Sequence, residues 1–464
     1  MLKLEPEEDR DIMTQSLYTS LVSKVIFPLH ESLKSHHSVS VRQSLERSQW
    51  QSKQQIFAER DQRLARFIDK VYNDVPYINQ LFNDLCLTPE DVCQSDELTK
   101  LPFMTKEVIK QNFDELISVN AGPLSKGNTG GSSGSPLTFM LGKNRVSHDV
   151  AQKWRATRWW GVDIGDKELV AWGSPIELGA QDKVRQWRDG LLRTELMPAF
   201  DLTERSIEQF IHRIVFRKPA MLFGYPSVYE VIAKQARMKK VRLDNLGIEV
   251  IFVTSERLYD HQRELIESVF GCPVANGYGG RDAGFIAHEC SRGGMHLSAE
   301  DIIVEIVDSA GNPLPDGESG EIVITHLASE DFPFIRYRTG DIGCLSTANC
   351  PCGRGLPMLE SIEGRSTDFV IAQDGTMMHG LALIYILREI EGIKEFKVVQ
   401  QSIDLTDVFI VPEQGGLSDA MSSAITQGFK ARLGQGVEIN IQLSEAIVAE
   451  KSGKYRYIIS HAID

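Results

Sequence analysis

Over the first hundred residues the apolar positions recur with a helical period. Leu64, Phe67, Ile68, Val71 and Tyr72 fall at i, i+3, i+4, i+7 and i+8, which predicts an amphipathic helix. Val75-Pro76 stops it, since proline has no N–H to continue the ladder. Further along, short apolar runs alternate with helical patterns. Leu169-Val170-Ala171-Trp172, Met221-Leu222-Phe223-Gly224-Tyr225 and the run from Ile248 to Val253 read as buried parallel strands, because a strand covered by helices on both faces shows no polar side. After Asp301 the texture changes. Ile302 to Val307 and Glu321 to Thr325 flank the turn-rich Gly311-Asn312-Pro313-Leu314-Pro315-Asp316-Gly317, which predicts antiparallel strands.

The last hundred residues have a pattern of their own. A short strand at Phe369-Val370-Ile371 meets a turn at Asp374-Gly375, and a helix follows from Leu381 to Glu391. Strands are expected at Phe396 to Gln401, Val408 to Val411 and Glu438 to Leu443, with a second helix from Ser418 to Leu433. Two helices on a small sheet can close a core of their own. The fold class expected is therefore α/β, with a large domain over residues 1–363, its first 100 residues helical, and a small α+β domain over 364–464. The boundary is placed at Gly364-Arg365.

Length agrees with more than one core, because 464 residues exceed what a single one usually serves. A formal net charge of −14 opposes nucleic-acid binding, which needs a positive footprint. The apolar stretch Leu21 to Leu29 is broken by Lys24 and Pro28, so neither a signal peptide nor a spanning helix is expected. A buried helix is expected there rather than membrane contact, and a cytoplasmic location follows. Cysteines number seven, an odd count without a secretory signal, which argues against a disulfide framework.

The richest segment chemically is Ser125-Lys126-Gly127-Asn128-Thr129-Gly130-Gly131-Ser132-Ser133-Gly134-Ser135-Pro136. Its glycines allow close backbone approach, and successive N–H groups and small hydroxyls can ring a polyphosphate. No Gly-Lys-Ser/Thr stands at the spacing of a Walker A loop. Alone, such a run is equally a flexible surface loop.

Downstream motifs change that reading. Thr129 to Leu137, preceded by Leu101-Pro102-Phe103-Met104-Thr105-Lys106, resembles the phosphate loop of the adenylate-forming superfamily of acyl-CoA synthetases, peptide-synthetase adenylation domains and luciferases. Tyr278-Gly279-Gly280-Arg281-Asp282 is similar to its aromatic-glycine-acid motif and Arg336-Tyr337-Arg338-Thr339-Gly340-Asp341 to its ribose motif. Gly364-Arg365-Ser366-Thr367-Asp368 resembles its hinge and Ser452-Gly453-Lys454 its catalytic-lysine motif. The series runs through essentially the whole chain in order. Val75-Pro76-Tyr77, Phe223-Gly224-Tyr225-Pro226-Ser227 and Cys350-Pro351-Cys352-Gly353-Arg354 are similar to the branch encoded with capsular-polysaccharide genes, beside the phenylacetate–coenzyme A ligase branch.

The resemblance implies a large domain with parallel and mixed sheets, helices and a distorted β region, followed by a mobile small domain. It also implies ATP and Mg²⁺, with coenzyme A or carrier-protein phosphopantetheine as the thiol co-substrate. Thr129, Gly130, Gly131, Ser132, Ser133 and Gly134 would hold phosphates; Tyr278 and Gly279 would border adenine, with Ser255 and Glu256 beside the nucleotide; Asp341 would accept the ribose hydroxyls. Asp282, where the family usually has glutamate, would bind Mg²⁺; Arg365 would contact ribose or phosphate, and Lys454 would act on the α-phosphate. Phe223, Gly224, Tyr225, Pro226 and Gly280 would border the acid. Thr367 stands where many relatives have Asp or Lys, which puts the usual domain rotation in doubt.

Cys290, His296, Cys350 and Cys352 form a Cys₃His set in the order C-x₅-H … C-x-C. That donor set suits tetrahedral structural zinc, with His288 as the alternative to His296 and four unmetallated side chains in a loop as the plainer reading. Branch members with cysteines in this region favour the metal. The expected function is activation of a small carboxylic acid, aryl acids included, as acyl-AMP and transfer to a thiol. Direct transfer to an amine or a sugar hydroxyl in polysaccharide tailoring, and a catalytically degenerate nucleotide-binding scaffold, are the alternatives. Whether the chain acts as a monomer or a homodimer is left open.

Overall fold

The structure is a computed structural model and describes residues 17–129, 137–172, 183–199, 204–365, 369–375, 377–379, 381–413, 416–447 and 457–462. The chain folds as mixed α/β around one large sheet. Strands β3 (Glu168–Trp172), β4 (Thr194–Pro198), β5 (Met221–Gly224), β6 (Val250–Thr254) and β7 (Val274–Gly280) run parallel in the order β4-β3-β5-β6-β7. The apolar runs read from the sequence are these strands, and every residue of β5 and β6 is buried. Helices Glu204–Arg217, Pro226–Met238 and Asp260–Phe270 supply Ile211, Tyr229, Ile232 and Ile266 to their core. Gly224 lets β3 and β5 approach, since a Cβ there would lie 2.2 Å from the Ala171 carbonyl oxygen.

At β7 the sheet changes character. β8 (Gly284–Glu289), β9 (Met295–Leu297), β13 (Met358–Arg365), β12 (Tyr337–Leu345), β11 (Ser319–His326) and β10 (Ile302–Val307) continue it in that order, every pairing antiparallel. Register shifts interrupt the β7–β8, β11–β12 and β12–β13 pairings, so this half bends. The antiparallel strands expected around the Gly311–Gly317 turn are β10 and β11. The helix expected over Leu64–Tyr72 runs Lys53–Asp74, opened by a Ser52–Gln55 capping box. It lays Leu64, Phe67, Ile68 and Val71 against the antiparallel half.

The N-terminal helical stretch meets the expectation of burial on one face only. Thr19, Val22, Ser23 and Phe27 pack inward, while Leu17, Leu21, Val25, Leu29 and Leu33 are exposed. Those five recur every four residues, so a single face carries them.

Residues from Val370 to Ile458 share a separate core that contains Leu383, Leu387, Val398, Ile410, Ile425 and Phe429. Its sheet holds β16 (Ile393–Ser402), β17 (Leu405–Pro412), β18 (Glu438–Leu443) and β19 (Ile458–Ser460), ordered β18-β17-β16-β19. Helices Leu381–Arg388 and Asp419–Leu433 cover it. This smaller C-terminal domain matches the textured unit read from the sequence; the parallel β19 escaped that reading because it is three residues long.

Candidate active site at the switch in the sheet

The change from parallel to antiparallel pairing at β7 opens the place where the sequence motifs gather. Tyr278 lies near the end of β7, and its hydroxyl donates to Asp341 Oδ2 at 2.9 Å. The turn Arg281-Asp282-Ala283 follows, and Tyr337 donates to Asp282 Oδ2 at 2.7 Å. Asp282 Oδ1 accepts from the Ala283 N–H at 3.0 Å. Two motifs far apart in sequence are thus cross-tied by two tyrosine–carboxylate hydrogen bonds. Both carboxylates are half-buried.

Asp341 also pairs in register with Arg365 across β12 and β13. The backbone therefore brings the ribose and hinge motifs side by side. In the same motif Arg336 serves the frame. Its guanidinium is buried, forks onto Glu305 at 2.9 and 3.2 Å and donates to the Leu101 carbonyl at 2.8 Å. Met104 N–H donates to the Arg336 carbonyl at 3.0 Å, and Arg338 N–H donates to the Met104 carbonyl at 3.0 Å. The segment from Leu101 to Met104 is thereby a strap on the ribose motif.

The base of the glycine-rich segment is ordered as a hairpin of β1 (Ser125–Asn128) and β2 (Thr138–Leu141). Thr129 closes it by donating its N–H to the Leu137 carbonyl at 2.9 Å and accepting Leu137 N–H on Oγ1 at 2.9 Å. Arg281 Nη1 reaches the Asn128 carbonyl at 3.5 Å, so the hairpin starts beside the Asp282 turn. Gly130, Gly131, Ser132, Ser133 and Gly134 lie outside the described residues, as does Lys454. Tyr457, three positions after Lys454, meets the Tyr259 ring edge-on with centroids 6.1 Å apart.

The remaining expected positions stand close to β5 and β6. Phe223 and Tyr225 are buried, and Trp172 stacks on them with ring centroids 6.0 and 4.6 Å away. Pro226 opens the helix Pro226–Met238. Glu256 Oε2 accepts the Ser227 N–H at 3.2 Å, where a carboxylate suits the helix dipole. Ser255, just before it, has φ +70°, a conformation that costs a non-glycine residue on the order of 1 kcal/mol or more. Gly279 and Gly280 pair with Phe285 and Gly284 at the end of the β7–β8 ladder.

A second cluster lies on β8, β9 and the loop before β13. Ligand atoms of Cys290, His296, Cys350 and Cys352 all fall within 4.8 Å of one another. Cys290 Sγ is 3.6 Å from Cys350 Sγ, and Cys352 Sγ is 3.2 Å from His296 Nε2. Gly293 and Gly353, at φ +81° and +82°, turn the chain tightly after each cysteine arm. His296 Nδ1 faces the Leu356 carbonyl at 3.2 Å, which places the proton on Nδ1 and leaves Nε2 as a free donor atom. Hydrogen bonding to Cys352, then burial, pushes the Cys290 thiol up, while the same hydrogen bond and His296 hold Cys352 low. His288, the alternative read from the sequence, is not one of the four: its ring packs against Phe252 and Phe285, and both its nitrogens are buried without hydrogen-bond partners.

Two residues built into the rim were not singled out in the sequence. Tyr337 lay inside a quoted motif, which gave it no role of its own. Arg145, which donates to the Asp282 carbonyl at 2.9 Å, carries no local signal at all.

In architecture the chain resembles solved coenzyme A ligases. The solved 2-hydroxyisobutyryl-CoA ligase, in its postadenylation state with R3-HIB-AMP, superposes with a TM-score of 0.72 at 20% identity, over 89% of this chain and 91% of that one. ATP-bound MatB from Rhodopseudomonas palustris gives a TM-score of 0.50 at 18% identity over 72% and 65% of the two chains. In sequence, the chain is similar to Protein CapK of Staphylococcus aureus, 24% identical over 88% of this chain and 89% of that protein. It is likewise 24% identical to a phenylacetate–coenzyme A ligase of Thermus thermophilus, covering 83% and 85%. Residues 370–461 match the family model of the CapK C-terminal domain.

Proposed function

We propose that the protein activates a small carboxylic acid with ATP and then passes the acyl group to a thiol, either coenzyme A or a carrier-protein phosphopantetheine. The observation that carries this reading is the cross-tied rim, in which Tyr278–Asp341 and Tyr337–Asp282 converge beside the β1–β2 hairpin. In the first step a carboxylate oxygen of the acid bonds to the α-phosphorus, the bond to the bridging oxygen breaks, and pyrophosphate leaves. Such a transfer needs in-line positioning and charge neutralisation more than covalent help.

Asp341 accepts the ribose hydroxyls and Tyr278 borders adenine, with Ser255 and Glu256 alongside. The segment from Thr129 to Ser135 is assigned the β- and γ-phosphates on its sequence. Asp282 offers hard carboxylate oxygen, the donor that Mg²⁺ prefers; bound there, the ion would neutralise phosphate charge. Arg365 and Lys454 supply the remaining positive charge, Lys454 from the small domain. The acid lies toward Phe223, Gly224, Tyr225, Pro226 and Gly280, and their largely apolar surroundings favour an uncharged, aryl or short alkyl body. The large domain spans residues 1–363 and the small one, 364–464, moves as a lid; the separate core from Val370 to Ile458 supports that division.

The Cys₃His cluster fits structural zinc, because soft thiolates and one correctly oriented imidazole converge with no open position. Zinc would brace β8, β9 and the approach to β13. All seven cysteines are free, and among the described residues no helix is long and apolar enough to cross a membrane. Both features accord with a cytoplasmic location, where ATP and reduced thiols coexist.

The test is ATP–pyrophosphate exchange over a panel of acids, followed by trapping with coenzyme A. Asp341→Ala should weaken ATP binding about tenfold or more in calorimetry, because a charged hydrogen-bond acceptor for ribose is lost. Wild-type protein that exchanges with no acid, or Asp341→Ala protein with unchanged ATP affinity, would remove the reading.

A further inference from the structure

Helix Lys143–Arg158 begins two residues after β2 and passes beneath the β7–β8 turn. Arg145, in its first turn, is only 2% exposed. Burying a guanidinium is costly unless its donors are matched. Nε donates to both oxygens of Asp149, at 3.2 and 3.1 Å. Nη2 leaves the helix altogether and donates to the carbonyl oxygens of Arg281 at 3.3 Å and Asp282 at 2.9 Å.

Gly284 completes this arrangement. Its φ is +80°, and a Cβ there would stand 2.9 Å from His326 Nε2 and 3.1 Å from Arg145 Nη2 and from Asp149 Oδ1. The turn Arg281-Asp282-Ala283-Gly284 is therefore held twice. Arg145 grips its backbone from the helix side, and Tyr337 grips the Asp282 carboxylate from the strand side.

Another use of these groups is a cation site, since ligand atoms of His148, Asp149 and His326 lie within 4.8 Å of one another. Proton placement opposes it. His326 Nδ1 accepts the Ala328 N–H at 3.3 Å, so the ring proton sits on Nε2. The Arg145 charge beside Asp149 already neutralises that carboxylate, and His148 Nε2 is taken by Asp301 at 3.3 Å. What remains is a donor array directed at the turn.

We infer that Arg145, oriented by Asp149, is a positioning residue that sets the Asp282 carboxylate for the metal–ATP complex. The inference rests on the adenylation reading above. A planar fork serves a carboxylate on one edge and two carbonyls on another; a lysine ammonium supplies charge but a single point of contact. Releasing the turn lets the carboxylate swing, so metal use suffers before folding does.

The experiment is calorimetric ATP binding by the full chain at a series of Mg²⁺ concentrations, with pyrophosphate exchange titrated with Mg²⁺ in parallel. The Arg145 variants should lose the Mg²⁺-dependent gain in affinity. Arg145→Gln should raise the Mg²⁺ concentration for half-maximal exchange about tenfold, the usual scale for a group supporting a metal ligand. Arg145→Lys should recover part of that, and Asp149→Asn should shift it in the same direction by less. Combined with Asp282→Asn, Arg145→Gln should add little further loss. If Arg145→Gln does not fold, Arg145→Lys carries the test. Variants that fold and keep the wild-type Mg²⁺ midpoint overturn the inference, as do variants that lose activity only in proportion to folded protein. A wild-type chain without Mg²⁺-dependent exchange would sink the adenylation reading as well, whereas normal wild-type exchange with unmoved variants sinks this inference alone.

Discussion

Two clusters of chemistry-bearing side chains share the antiparallel half of the large sheet, and they are built in opposite ways. At the rim, Asp341 and Asp282 are half-buried oxygen donors, and each accepts a tyrosine hydroxyl. In the knot, Cys290 and His296 are fully buried, Cys350 nearly so, and the four donors face one another. A half-exposed rim of hard oxygen donors suits ligands that come and go. A closed, soft donor set suits a ligand that stays. His288 stands between them, paired in register with Gly277 of β7 on one side and His296 of β9 on the other.

The sharpest way to break this contrast is through the knot. Purified protein is expected to carry about one equivalent of zinc, and Cys350→Ser should lose it together with several kcal/mol of stability. Thermal melts and elemental analysis would show this, and ATP affinity should survive wherever the variant is folded. Less than about a tenth of an equivalent in wild-type protein would end the idea of a permanent brace.

On the rim side, Lys454→Ala should slow pyrophosphate exchange by roughly a hundredfold or more, about 3 kcal/mol, as for loss of one preorganised donor to a developing charge. Calorimetric ATP affinity should barely move, because the groups proposed to hold ATP in the ground state, Asp341 and Tyr278 among them, do not include Lys454. Near-normal exchange would mean that the C-terminal match is accidental.

Acid probes the residue between the clusters. Burial first, and then the Arg155 and His148 charges, depress His288 to about 3. The unfolded chain binds that proton near pH 6.5, so stability present above pH 6.5 is lost as pH falls toward 3. The slope is roughly 1.4 kcal/mol per pH unit from this residue. His326, also driven well below its ordinary value by burial and Arg145, adds in the same direction. Urea midpoints at pH 7 and pH 5.5 measure the loss, and a His288→Gln variant with an unchanged slope would contradict it.

The smallest effect is expected from Tyr337→Phe, which deletes one hydroxyl from Asp282. About 1 kcal/mol should appear as a fewfold higher Mg²⁺ requirement with little change in thermal stability. An equal loss from Tyr337→Phe at saturating and at limiting Mg²⁺ would assign Tyr337 to the frame instead.

Much of this molecule was legible along the chain, because patterns of period and turn residues are local. The apolar run Met221–Gly224 needed only its own composition to declare a buried strand, and Ile302–Val307 needed only the turn that follows it. The small domain announced itself in the same way, and the ordered motifs disclosed the class of fold. What the chain could not show is which distant residues meet. Tyr278 and Asp341 are 63 positions apart, Cys290 and Cys350 are 60, and Arg145 and Asp282 are 137. Strand order decided that His296 rather than His288 joins the thiols. The two are cross-strand partners and share a face, but His296 lies on β9, the strand that pairs with β13 just after the Cys350–Cys352 turn, whereas His288 lies one strand further away. Burial decided the rest. Arg145 sits on a helix whose sequence reads as an ordinary polar face, and only the packing of that helix beneath the β7–β8 turn makes its guanidinium a dry, directed donor.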